Sequence, residues 1–199
     1  YPFENKELFE KNFPADFIAE GVDQTRGWFY SMMVLSVALF GKSPFKNVIV
    51  NGMVLAEDGQ KMSKSRKNYP DPVDVINKYG ADAVRYYLLS SPIVHAEDLA
   101  FSERGVDEVV KKITMRIMNV LSFYELYSKD APEVRSVHTN PLDHWILARI
   151  AELGTEMTGA FDRYELDRAV NPIGLFVDDL STWYIRRSRA RFQNPSSAK

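Results

Sequence analysis

Lys61-Met62-Ser63-Lys64-Ser65 sets two ammonium groups and two hydroxyls within five residues, between an apolar run and a helix start. Ammonium groups bring charge to an anion, and hydroxyls and loop N–H groups bring directed donors, so the stretch has the chemistry of a phosphate-gripping loop. A solvated basic surface loop has the same composition, so the neighbours decide. Just upstream, Val48-Ile49-Val50, Asn51-Gly52 and Met53-Val54-Leu55 read as a buried strand with a polar interruption, and Glu57-Asp58-Gly59 as a turn. Downstream, Asp71-Pro72 supplies an N-cap and a first-turn proline for a helix that stops at Gly80, and a second helix runs from about Asp82 to Leu89. Further back, Phe17-Ile18-Ala19 reads as a short strand running into Glu20-Gly21, and Asp23 to Phe40 as a helix apolar on nearly every side and so buried. Apolar runs alternating with helical patterns are the mark of α/β organisation, here over residues 1–101.

Beyond that point the pattern is helical only. Val106, Val109, Val110, Ile113, Ile117, Leu121 and Tyr124 make one apolar stripe at three–four spacing. Leu142, Ile146, Ile150, Leu153, Met157 and Phe161 make a second, after a linker from Lys129 to Pro141. Ile173, Phe176, Val177, Leu180, Trp183 and Tyr184 make a third, with Pro172 and Gly174 expected to break or kink its approach. Three amphipathic helices predict an all-α bundle over residues 102–199. The third ends on Arg186, Arg187, Arg189 and Arg191, with no acidic residue from Leu180 onward. Such a cluster suits a solvated helix end, favoured by the helix dipole, and equally an RNA backbone.

The 199 residues are 45% hydrophobic and 26% charged with a formal net charge of −2, an ordinary globular balance in which any RNA contact must come from local clusters. Without cysteine there is neither disulfide nor thiolate metal site, and a reducing, cytoplasmic setting is expected. His95, His138 and His144 stand alone, at no metal-ligand spacing, so no metal site is expected. The most apolar run, Trp28 to Phe40, is too short for a bilayer, so no membrane partner is expected. Tyr1 in place of Met, and an abrupt end after a basic helix, read as cuts in a longer protein.

The lysine pentapeptide resembles the second signature of class I aminoacyl-tRNA synthetases, and Glu20-Gly21-Val22-Asp23-Gln24-Thr25-Arg26-Gly27-Trp28-Phe29 resembles the adenylate segment of the isoleucyl-tRNA synthetases. The order and separation of the two match that family, and Phe13 to Ile18, Asn51-Gly52-Met53, Asn68 to Pro72, Lys78 to Ala83, Pro141 to Leu147 and Trp183 to Arg187 extend the likeness over nearly the whole chain. The resemblance implies the C-terminal half of a Rossmann-like catalytic domain followed by the start of a helical anticodon-binding domain. By it, Lys61 and Lys64 stabilise charge on the phosphates, and Asn51, Gly52, Met62, Ser63, Lys64 and Ser65 bind ATP, which comes with Mg²⁺. Glu20, Gly21, Asp23 and Gln24 contact the adenylate, Trp28 walls the isoleucine pocket, and Arg186, Arg187, Arg189 and Arg191 meet tRNA(Ile). Bacterial members often carry His where Asn51 stands; Asn keeps a donor and an acceptor but no titratable ring. Valyl- and leucyl-tRNA synthetases are the near alternatives, and a helical RNA-binding module without catalysis the distant one. The first signature, His-x-Gly-His, is absent, so these residues alone are expected to be inactive.

Overall fold

A computed structural model describes residues 3–63, 65–128 and 140–193. Two compact units emerge, one of Tyr1–Tyr69 with Ser91–Phe101, the other of Pro70–Ser90 with Ser102–Lys199. Residues 70–90 thus group with the helices that follow residue 101.

The first unit opens with α1 (Lys6–Asn12) and β1 (Ala15–Gly21), then a 3₁₀ turn over Val22–Arg26 and α2 (Trp28–Phe40). β2 (Phe45–Asn51) returns parallel to β1, with Ala15 opposite Phe45, Ile18 opposite Val48 and Gly21 opposite Asn51. Parallel neighbours need a crossover, and α2 is that crossover. The second apolar run does not continue as one strand. After Asn51 the chain turns, and β3 (Val54–Leu55) pairs in parallel with β4 (Leu99–Ala100) in a sheet of its own. A 3₁₀ turn over Pro92–His95 leads into β4, and its Ile93 carbonyl accepts from the Gly52 N–H at 2.9 Å.

Expected to be buried, α2 buries Phe29 and Ser36 but leaves Leu35 and Leu39 62% and 63% exposed. Apolar residues all round a helix record what it prefers to touch, and within this unit they outnumber the neighbours. Val48 of β2 is likewise exposed. The aromatic rings of Phe9, Phe13 and Phe40 do meet, at 4.6–5.1 Å between centroids, and tie α1 to the end of α2.

In the second unit, α3 (Pro72–Tyr79) starts where the Asp71 carboxylate accepts from the Val73 N–H at 2.7 Å, and stops at Gly80, whose φ of 87° suits glycine. α4 (Ala81–Leu89) follows. Then come α5 (Glu103–Val109), a π-helical stretch over Val110–Thr114 and α6 (Met115–Ser128). α7 (Pro141–Asp162) is capped by Asn140; α8 (Leu166–Asp178), a second π stretch over Asp179–Tyr184 and α9 (Ile185–Gln193) complete the described chain. Most of the expected linker lies outside the described residues.

Two glycines explain why α3 and α4 join the helices. A Cβ on Gly105 would stand 2.5 Å from the Tyr87 ring, and one on Gly174 3.4 Å from the Tyr86 hydroxyl, which bonds the Gly174 backbone. Bare backbone therefore lets α4 lie close against α5 and α8. Glu103 adds an acceptor for Lys78 at 2.8 Å and for Tyr79 at 3.1 Å.

Of the expected break or kink at Pro172, a break does not occur: α8 begins at Leu166 and runs through it, the missing N–H costing one bond of the ladder. The stripes are also partly reassigned. On α6 the half-buried positions are Arg116, Val120, Phe123, Tyr127 and Ser128, while Ile117, Leu121 and Tyr124 are exposed. Partners on the later helices choose that face: Arg116 pairs with Asp178 at 2.5 Å, Phe123 meets Phe192 edge-on, and Tyr127 accepts from Gln193. Ile150, Phe161 and Trp183 are exposed as well. Arg149, one position from Ile150, turns inward to bond Asp179 at 2.9 Å.

Asp143 is the polar centre of the helical unit. It accepts from Tyr184 at 3.0 Å and from both Arg191 terminal nitrogens at 3.0 and 2.6 Å, and Arg191 also donates to the fully buried Ser188. Burial first, then the bond to Asp143, pushes the Tyr184 phenol up to about 12. A phenol raised above its unfolded value of about 10 contributes stability that is whole below that pH. The contribution drains away as pH rises toward the folded value. Tyr184→Phe should therefore flatten the alkaline fall in stability, as read by urea denaturation from about pH 9 to about pH 12.

Candidate functional site

The parallel register decides what meets at the sheet edge. Glu20 stands opposite Val50 and Gly21 opposite Asn51, so Glu20-Gly21 and Asn51-Gly52 leave the sheet at the same carboxyl-terminal edge. Crevices outside that edge are where open α/β sheets take ligands. A Cβ on Gly21 would lie 2.7 Å from an Asp23 carboxylate oxygen, so the absence of a side chain lets that carboxylate lie against the strand end.

The segment after Gly21 is held by its own side chains. Gln24 donates to Asp23 at 2.9 Å, and its Oε1 accepts from the Trp28 N–H, also at 2.9 Å. Gln24 thus satisfies the first donor of α2, which starts at Trp28 rather than at Asp23. Asp23 instead sits in the 3₁₀ turn with an exposed carboxylate. Trp28 is 45% exposed and so is not core filler; its ring lies 6.0 Å from Phe29.

Asn51 and Gly52 have unequal roles. A Cβ on Gly52 would overlap the Glu97 carbonyl oxygen, and the Gly52 N–H is committed to Ile93. Gly52 therefore serves the fold by letting the 91–101 segment close over the end of β2. Asp98 in that segment accepts from the Met53 N–H at 3.0 Å, a contact with no signal in the local sequence.

The lysine loop begins as a hairpin. Ala56 donates to Gln60 and accepts from Gly59, each at 2.8 Å, with Gly59 at a φ of 76°, and Lys61 bridges back to Leu55. Ser63 and Ser65 hydroxyls lie 2.8 Å apart, and Arg66 donates to Gln60 at 2.7 Å. Lys61 and Ser65 are exposed, Met62 and Ser63 half-buried, and Lys64 lies outside the described residues. The Glu20–Trp28 segment, Asn51 and this loop belong to one unit.

In the other unit the four arginines separate. Arg186, Arg187 and Arg189 are exposed. Arg187 stacks over the Trp183 ring at 4.5 Å, and Arg189 lies 5.9 Å from the Phe123 centroid. Arg191 is half-buried in its fork on Asp143, so its charge is spent on joining α9 to α7. Sequence spacing put it with the other three; the carboxylate 48 residues away removes it. Among the described residues, no cluster of three or more acidic, His or Cys side chains could hold a metal ion, and no helix is long and apolar enough to cross a membrane.

A strand–helix–strand unit with a phosphate-suited loop, followed by helices ending in arginines, matches two family models. Residues 1–100 match the tRNA synthetases class I (I, L, M and V), and residues 143–199 the anticodon-binding domain of tRNA ligase. The chain belongs to the class I tRNA synthetase family. It is 52% identical to the isoleucine–tRNA ligase of Protochlamydia amoebophila and 51% identical to that of Treponema denticola, over 96% of its own length in each case. It spans only 19% of the length of those relatives. Among solved structures, the Mycobacterium tuberculosis methionyl-tRNA synthetase in complex with methionyl-adenylate resembles it with a TM-score of 0.79 at 24% identity, covering 100% of this chain and 39% of that one. The LeuRS–tRNA–LeuAMS ternary complex from Agrobacterium radiobacter K84 does so with 0.64 at 21%, covering 89% and 23%. These two likenesses establish the Rossmann-like fold.

Gly52→Ala tests the assignment of that glycine to the fold. The new methyl meets backbone, which cannot swing aside, so stability should fall by about 1–3 kcal/mol. A lowered urea midpoint for the variant is the expected result.

Proposed function

We propose that the chain is part of an isoleucine–tRNA ligase, a cytoplasmic enzyme that joins isoleucine to tRNA(Ile) at the expense of ATP. The observation that carries the reading is the register of Gly21 with Asn51, which gives the adenylate-facing and nucleotide-facing segments one shared sheet edge. The curated relatives supply the amino acid. On this reading residues 1–101 are the C-terminal half of the catalytic domain, although residues 70–90 fold with the helices, and residues 102–199 begin the anticodon-binding domain.

The isoleucine carboxylate attacks the α-phosphorus of ATP and expels pyrophosphate, and a ribose hydroxyl at the tRNA 3′ end then takes the acyl group and releases AMP. Lys61 and Lys64 offset charge growing on the phosphates, with Met62, Ser63 and Ser65 shaping the loop around them. Preorganised charge of this kind is the largest contribution in phosphoryl chemistry. Mg²⁺ enters with ATP and neutralises phosphate charge. Glu20, Asp23 and Asn51 offer acceptors to ribose hydroxyls and the α-ammonium, Gly21 leaves room for their approach, Gln24 steadies Asp23, and the exposed Trp28 indole walls the side-chain pocket. Arg186, Arg187 and Arg189 meet the RNA backbone, with Arg191 holding their helix in place.

Pyrophosphate exchange by the intact parent protein tests the reading. Isoleucine should drive exchange far better than valine or leucine, and Lys61→Ala should slow it by roughly 10²- to 10³-fold, the size of losing one preorganised donor. Exchange driven best by valine or leucine would transfer the chain to that specificity. For the arginines, each phosphate contact steepens the salt dependence of binding by about 0.7–0.9. Replacing Arg186 and Arg189 together by Gln should flatten the slope of tRNA affinity against salt by roughly one to two units and leave adenylate formation intact. Parallel lines for the two proteins would make them a solvated helix end.

A further inference from the structure

Behind the lysine loop, one side chain bonds both ends of a short stretch of its backbone. Asn68 Oδ1 accepts from the Ser63 N–H at 2.9 Å, and Asn68 Nδ2 donates to the Lys61 carbonyl at 3.2 Å. The amide orientation follows from those partners, since the flipped form would face donor with donor and acceptor with acceptor. The chain returns to make these bonds through Lys67, whose φ of 49° is left-handed and whose N–H closes on the Ser63 carbonyl at 3.0 Å. A lysine adopts that conformation only at a cost in free energy, and such local strain gathers where a loop must hold a particular shape. A carboxamide accepts and donates from one rigid plane, and asparagine has the reach for groups two residues apart.

We propose that Asn68 is a positioning residue for adenylate formation, clamping Lys61 and Ser63 so that the loop meets the phosphates already shaped. The role rests on the functional reading above. Asn68 would touch no substrate. It would remove the reorganisation that a loose loop must undergo at each turnover, and misplacement of catalytic groups by about 1 Å is worth up to roughly 10²-fold in rate.

The test uses the intact parent protein with Asn68→Ala and Asn68→Asp. Asp keeps an acceptor for Ser63 but loses the donor for Lys61. Single-turnover adenylate formation should be about 10- to 100-fold slower in both, with KM for isoleucine and the melting temperature close to wild type. Amide hydrogen exchange at Ser63 and Lys67 should quicken in Asn68→Ala. A wild-type rate in Asn68→Ala overturns the proposal, and so does a loss of rate matched by equal losses of isoleucine affinity and melting temperature. A wild-type rate in Asn68→Asp overturns the bond to Lys61 as part of the clamp. Wild-type protein that forms no adenylate overturns the functional reading instead. The clamp is then decided by amide exchange alone, with quickening in its favour and unchanged protection against it.

Discussion

Parallel pairing of β1 with β2 sets the geometry on which the candidate site depends. Strands that run the same way end at the same edge, so two segments 30 residues apart in sequence, at Gly21 and Asn51, are brought opposite one another. A slip of one residue would turn every side chain to the other face. Everything added at that edge answers to the register. Gly52 must lack a side chain for the 91–101 segment to close beside it, and Asp98 in that segment fixes Met53 at the start of the path to the lysine loop.

Polar side chains recur as ties between backbone segments rather than as surface decoration. Gln24 ties the Glu20–Trp28 segment to the first N–H of α2, and Asn68 ties Lys61 to Ser63. In the helical unit Asp143 gathers Tyr184 and Arg191 from a helix 41 to 48 residues later. Each bond restrains a group whose freedom would otherwise cost entropy when a ligand is met. The arginine row shows the selectivity of such ties. One guanidinium is taken by a carboxylate inside the unit, one stacks on an indole, and Arg186 and Arg189 stay exposed.

Much of the fold was legible from local pattern. Asp71-Pro72 and Gly80 delimit a helix because capping and a positive φ are local chemistry, and the structure starts and stops α3 there. The lysine loop stood out because its function depends on residue type, and the strand–helix–strand order followed from where apolar runs began and ended. Ile117, Leu121 and Tyr124 were not legible in the same way. α6 carries apolar residues on more than one side, and the choice of Arg116, Val120 and Phe123 was made by Asp178 and Phe192 on other helices. α2 shows the reverse. Its composition predicts burial, and its neighbours within the unit are too few to supply it.

Sequence by itself therefore determined most of the element types, both ends of α3, the family resemblance and the phosphate-suited loop, since each depends on residues near one another along the chain. Tertiary structure alone decided that Pro70–Ser90 joins the helices, through Tyr86 on Gly174 and Tyr87 on Gly105. It also decided that Gly52 serves the fold, that Asn68 clamps the loop and that Arg191 belongs to Asp143. Most of those outcomes turn on a partner far along the chain, and even Asn68 reaches its own only because the backbone reverses at Lys67. Spacing counts residues along the chain, whereas a hydrogen bond or a bare glycine surface is chosen by distance in space.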